Sequence, residues 1–181
     1  LKYRYRVFFS NFGKGSPASV LELSKQVKTC GRPKPDFDPI VLDVYNSKVN
    51  LLGKPKWNPI DMVIRDDSKN VVMAAVSEQI QKQFDFFEQS SAASGIDYKF
   101  VTTIQMLDGG NGNNVPVILE TWELYGCMLT SVGYGDLDYA ASETIDLSLS
   151  ITFDNALQAP GGSGVGIGAK VTRDHGSIVA G

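Results

Sequence analysis

Residues 144–153 read TIDLSLSITF, with Ile145, Leu147, Leu149, Ile151 and Phe153 alternating against Thr144, Asp146, Ser148, Ser150 and Thr152. Successive strand residues point to opposite faces, so this pattern predicts a half-buried β-strand with an apolar inner face. The even spacing of Ile118, Trp122 and Leu124 predicts a second strand of the same kind. Gly133, Gly135 and Asp136 turn the chain between the two, and Leu137 and Tyr139 are expected to return to the core. An antiparallel pair of this length commits the chain to a sheet.

Other segments extend that sheet. Tyr3, Tyr5, Val7 and Phe9 alternate with Lys2, Arg4, Arg6 and Phe8, which predicts a strand with a basic outer face. Residues 20–27 continue the sheet less regularly, because Lys25 shares a face with Leu21, Leu23 and Val27. Gly31, Pro33, Pro35 and Pro39 predict that no ladder forms over residues 29–38, since proline lacks the N–H a ladder needs. A brief apolar strand is expected over 40–45. Residues 46–56 read as a loop that nevertheless displays Val49, Leu51 and Leu52, and such a loop either folds back on its own domain or covers a neighbour.

After the alternation of Ile60, Met62 and Ile64 the period changes. Val72, Val76, Ile80, Phe84 and Phe87 lie at steps of four, four, four and three, preceded by Asp66, Asp67, Ser68 and Asn70 as capping side chains. A single helix over about 70–91 follows, packed on the sheet. Strands are expected again over 98–107 and 115–124, joined through a glycine- and asparagine-rich run at 108–114. The predicted fold is mainly β, an antiparallel barrel or sandwich of about seven to eight strands with one flanking helix. One domain, residues 1–158, precedes a glycine-rich extension over 159–181. That extension is expected to order against another subunit or to add an edge strand at 165–171.

Composition is that of a globular chain, 43% hydrophobic and 20% charged, with no apolar run near the roughly 20 residues needed to span a bilayer. No secretory leader precedes the first strand, and Leu1 is not an initiator, so a trimmed start is expected. Two cysteines, Cys30 and Cys127, are too few for a disulfide framework and read as buried thiols. Charge is unevenly spread. Residues 1–35 hold eight basic residues against Glu22 alone, a balance of +7, whereas residues 97–154 hold nine acids against Lys99, a balance of −8. Two solvated faces of opposite sign, or basic surface meeting acidic surface between copies, both satisfy this split.

The run Trp122 to Cys127 (Trp-x-Leu-x-Gly-Cys), the Leu-Asp-Tyr-Ala segment at 137–140 and the long strand closing on Phe153 resemble the tail tube protein of contractile-tailed bacteriophages of the T-even type. Trp57, Asn58, Pro59 and Ile60, followed by Arg65, Asp66 and Asp67 ahead of the helix, match the same family, and the resemblance covers roughly residues 1–154. It implies a subunit resembling the inner tubes of type VI secretion, closing into hexameric rings that stack into a hollow tube through which DNA is ejected. The implied partners are further copies of the chain, the tail sheath, baseplate and tail-terminator proteins, and the tape-measure protein and genomic DNA in the bore. The implied location is the virion tail, with assembly in the cytoplasm of the infected bacterium. An extended loop clasping the next subunit would place Tyr45, Val49, Leu51 and Leu52 at the interface, with Arg4 and Arg6 meeting acidic surface. Glu120, Glu123 and Asp146 are the candidate bore-facing acids, repelling phosphate so that nucleic acid slides.

No catalytic, cofactor or metal constellation emerges. Residues 164–169 fit G-x-G-x-x-A, but only twelve residues follow, too few for a dinucleotide-binding unit. His175, the sole histidine, lies in the extension, and neither cysteine has a ligand set around it. A non-enzymatic structural protein is the leading expectation, without membrane insertion by this chain. A related injection-system inner tube or a baseplate tube initiator remains open. So does a β-sandwich binding module using Trp57, Tyr134 and Tyr139 as an aromatic platform.

Overall fold

The computed structural model describes residues 4–14, 23–110, 115–139, 144–161 and 165–170. Its strands are β1 (Tyr5–Ser10), β2 (Val27–Cys30), β3 (Pro35–Val44), β4 (Ser47–Trp57), β5 (Ile60–Arg65), β6 (Phe84–Asp85), β7 (Ser90–Ser91), β8 (Phe100–Leu107), β9 (Ile118–Gly133), β10 (Asp146–Thr152) and β11 (Asn155–Pro160). Helix α1 is Val71–Gln83, and a single turn, α2, is Gly95–Tyr98. The elements build the mainly β, antiparallel fold that the alternation predicts.

β9 is the organising strand. One side of it pairs with β8, which pairs with β1; the other side carries β10 toward its C-terminal end and β11 toward its N-terminal end. β10 pairs onward with β5, and β5 with β2. Two four-stranded sheets therefore share β9, ordered β1-β8-β9-β11 and β9-β10-β5-β2. The ends approach one another, because the Tyr5 hydroxyl donates to the Lys28 carbonyl at 2.7 Å and so links β1 to β2.

The bend between β10 and β11 has a local cause. Gly126 sits at φ +68, in the left-handed region, and a side chain there would collide with the Asp154 carboxylate. Inside the sheets lie Val7, Phe9, Met62, Ile64, Phe100, Ile104, Trp122, Leu124, Leu147, Leu149, Ile151 and Phe153, with Val72, Ala75 and Val76 of α1 closing over them.

Several expectations are corrected. The ladder does run through the proline-rich segment: β3 begins at Pro35 and contains Pro39, with a register irregularity between Phe37 and Pro39. A two-stranded ribbon has only edges, so a missing N–H can face outward or be absorbed by a bulge. The expected loop over 46–56 is instead strand β4. The helix ends at Gln83 rather than near 91, because the Asp85 carboxylate accepts the N–H groups of Phe87 and Glu88 and folds the chain into the β6–β7 turn. Ile145, Leu137 and Tyr139 are exposed and not in the core. Residues 23–25 make a helical turn where a strand was expected.

Candidate functional site

The ribbon β3–β4 is the surface least explained by the subunit's own stability. It leaves the body after Cys30 and returns at Ile60, and eleven residues of β4 at about 3.3 Å each carry it about 35 Å. Its base is anchored: Trp57 packs on Phe153 with ring centroids 5.6 Å apart, and the Asn58 side-chain amide donates to Asp36 at 2.6 Å. That amide, the largest influence, holds the Asp36 carboxyl below its ordinary range. Among the described residues, no strand other than β3 and β4 themselves belongs to this sheet.

Register sorts the ribbon's side chains. Ile40 lies opposite Leu51 and Leu42 opposite Val49, so these four, with Val44, share one face. Each is 43–53% exposed. The other face carries Asp43 and Lys48, paired at 3.7 Å, with Asn50 and Val41. Among the described residues, one face of the ribbon is thus apolar and half-exposed, and the other mixes Asp43, Lys48 and Asn50 with Val41. Of the expected interface residues, Val49 and Leu51 lie on that apolar face, Leu52 lies on the other face beside Pro39, and Tyr45 is fully exposed in the turn at φ 47. Sequence reasoning missed Ile40, Leu42 and Val44 as members of the same face. Their alternation with Val41 and Asp43 was the available signal.

The sheet β1-β8-β9-β11 presents a second surface. On its core side run Val7, Ile104 and Trp122; on its outer side two rows cross it, Arg6-Gln105-Thr121-Ala159 and Phe8-Thr103-Glu123-Leu157. Arg6 lies over the Phe8 ring at 5.2 Å and donates to Gln105 at 2.6 Å. Arg4 instead reaches back to the Asp108 carbonyl at 3.1 Å, within its own subunit.

The three candidate acids do not converge. Glu120 lies on the core side of β9, where it accepts from the Trp122 indole, from Gln158 at 2.7 Å and from Arg32 at 2.5 Å. Burial raises its pKa, and the three hydrogen bonds together outweigh that and leave it lowered. Glu123 projects from the outer side and accepts from the Tyr125 hydroxyl. Asp146 belongs to the other sheet and pairs with Lys28 at 2.6 Å. Part of the opposite-sign split in the sequence is therefore consumed inside one subunit.

Of the three residues of the expected aromatic platform, Trp57 is half-buried and packs on Phe153, while Tyr134 and Tyr139 are exposed. Among the described residues no group of three His, Cys, Asp or Glu is placed to hold a metal ion, and no helix is long and apolar enough to cross a membrane. His175 lies outside the described residues. Residues 165–169, the described part of the glycine motif, contain a turn and a bend and no helix of the kind a pyrophosphate would need.

No known protein family matches the sequence, and no curated protein matches it. Solved structures do. A chain of the six-fold symmetrised baseplate of the anti-feeding prophage, AFP, is similar at 12% identity, with a TM-score of 0.60 over 88% of this chain and 95% of that one. A chain of the PVC extracellular contractile injection system, from its extended sheath-tube complex, is similar at 14% identity, with a TM-score of 0.59 over 87% and 89%. A chain of the AFP tube-terminating cap gives 13% identity and 0.57 over 88% and 90%. These come from injection-system particles, so the likeness supports the tail-tube fold and not the T-even branch in particular. The chain has the tail-tube-like fold of these contractile-injection proteins.

Proposed function

We propose that this chain is a structural subunit that self-assembles into the stacked rings of a hollow inner tube in a contractile injection machine. The observation that carries the reading is the apolar face of the β3–β4 ribbon, half-exposed among the described residues. An isolated two-stranded ribbon is marginally stable in water, and here, among the described residues, the subunit anchors the ribbon at its base. A neighbouring copy supplies the cover. The fold likeness to chains of tube, cap and baseplate complexes gives the assembly its context.

In this reading the ring closes through the sheet β1-β8-β9-β11. Its edge strands are six residues each, and its four strands alternate in direction. Rotation about an axis along the strands preserves direction, so an even strand count brings β1 of one copy antiparallel to β11 of the next. Repetition leaves no free edge. The outer side of this sheet becomes the bore wall, which narrows the acidic-bore idea to Glu123, with Arg6 on the same face. Six copies per ring, a surrounding sheath, baseplate and terminator contacts, and passage of a tape-measure protein and DNA in a phage particle complete the reading. Likeness to a chain within a baseplate structure also favours a tube segment next to the baseplate as a second placement.

The test is the pair of substitutions Leu42→Ser and Leu51→Ser, followed by sedimentation across concentration. Both side chains are exposed in the single subunit, so its melting is expected to move by less than about 0.5 kcal/mol. The double variant is expected to remain a monomer where the parent assembles. Unchanged assembly would remove the ribbon from the interface.

A further inference from the structure

The outer edge of β11 is already occupied in the single subunit. The register with β9, together with the Gly161 N–H donating to the Leu119 carbonyl, turns the backbone of Ala156, Gln158 and Pro160 outward. None of these offers a free N–H. Pro160 has none, the Ala156 N–H is taken by the Asn155 side chain at 2.9 Å, and the Gln158 N–H donates to the Ile167 carbonyl at 2.8 Å. Residues 165–168 of the glycine-rich extension therefore lie against the edge as a short strap.

The strap fits because of its glycine. A side chain at Gly166 would collide with the Gln158 carbonyl and the Pro160 ring, so only glycine admits this approach. Its hold is slight. Gln158–Ile167 is the single backbone bond joining strap and β11 among the described residues, and Val165 and Ile167 stay exposed. A permanent edge strand would make several such bonds and bury alternate side chains.

We propose that residues 165–168 are a detachable cover on the β11 edge, which shields that edge in the free subunit and yields it to β1 of a second copy during assembly. This rests on the tube reading above and adds its control step. Release of one backbone hydrogen bond frees the Gln158 N–H, the group an incoming strand must engage. An exposed strand edge otherwise invites indiscriminate pairing, and a weak cover delays pairing until an arriving copy offers more bonds than the strap does.

The experiment compares the full chain, a chain lacking residues 162–181, and Gly166→Val, which expels the strap without shortening the protein. Hydrogen exchange at the Gln158 amide is read in the monomer, and the concentration at which assemblies appear is read by sedimentation. The expected result is a protected Gln158 amide in the parent, fast exchange in both variants, and assembly at about three- to tenfold lower concentration, the worth of one backbone hydrogen bond. Fast exchange in the parent monomer would overturn the cover whether or not tubes form. Assembly at an unchanged or higher concentration in Gly166→Val, with a folded monomer, would overturn it and leave the tube reading standing. A parent protected at Gln158 that never assembles would remove the tube reading, and the control step with it.

Discussion

The side chain of Gln83 pairs with the backbone of Leu129 as a neighbouring strand would, donating from Nε2 to the Leu129 carbonyl and accepting its N–H at Oε1, both at 2.9 Å. Leu129 lies next to the register irregularity where β9 meets β10, and the last turn of α1 supplies the pairing. Fully buried Gln79, one turn earlier, accepts the Gly13 N–H and donates to the Tyr98 carbonyl. Two glutamines thus lock the helix across the ends of β1, β8 and β9.

Gln83→Leu keeps the size of the side chain and leaves both Leu129 groups without partners. Unmet buried backbone groups are costly, so a loss of about 2 kcal/mol is expected. Urea denaturation checks this through a lowered midpoint at unchanged slope.

Glu120 makes stability depend on acid. Its pKa in the fold lies below the ordinary 4.5, because bonds from Gln158, Arg32 and Trp122 together outweigh the opposing effect of burial, the largest single influence. Charged Glu120 therefore stabilises the fold above that ordinary value, and the contribution fades as pH falls through the lowered one. Glu120→Gln is expected to lower stability at neutral pH and to flatten the decline below about pH 4.5. Urea midpoints measured across that range decide it, and parallel profiles for parent and variant would contradict the assignment.

The thiols are predicted to be inert in the native protein. Burial pushes Cys30 up to about 12 and Cys127 up to about 11, which leaves little thiolate at about pH 8. A colorimetric thiol reagent should find no fast-reacting cysteine before denaturation and two after it.

Gly126→Ala tests the bend in β9. A non-glycine residue in the left-handed region costs about 1–2 kcal/mol, and the new methyl also displaces Asp154 from its 2.5 Å contact with Lys99. Adding Asp154→Ala relieves the collision but not the backbone strain. Melting of the double variant is expected to show less than the sum of the two single losses.

The parts legible in the sequence were those whose pattern and packing agree. Leu147, Leu149 and Ile151 alternate and are all buried, and the step-four stripe through Val72 and Val76 gave the helix its inner face. The helix end was misread because Phe84 and Phe87 continue the stripe, while Asp85 diverts the backbone by a local hydrogen-bond choice that periodicity does not register. The ribbon was misread because prolines were weighed as breakers, although an edge tolerates them. The pairing of Arg32 with Glu120 joins residues far apart in the chain, and no local pattern announces it. The extension was expected to order against another subunit or to add an edge strand at 165–171; residues 165–170 form no strand, and the strap's fit depends on contact between Gly166 and Gln158, which no local pattern announces.

The most direct measurement is electron microscopy of the purified chain over a range of concentration and salt, beside the Leu42→Ser, Leu51→Ser variant. Rings or tubes with an open bore in the parent, and their loss in the variant, are the predicted result. A parent that stays monomeric under every condition, or assembles into solid particles, would contradict the account.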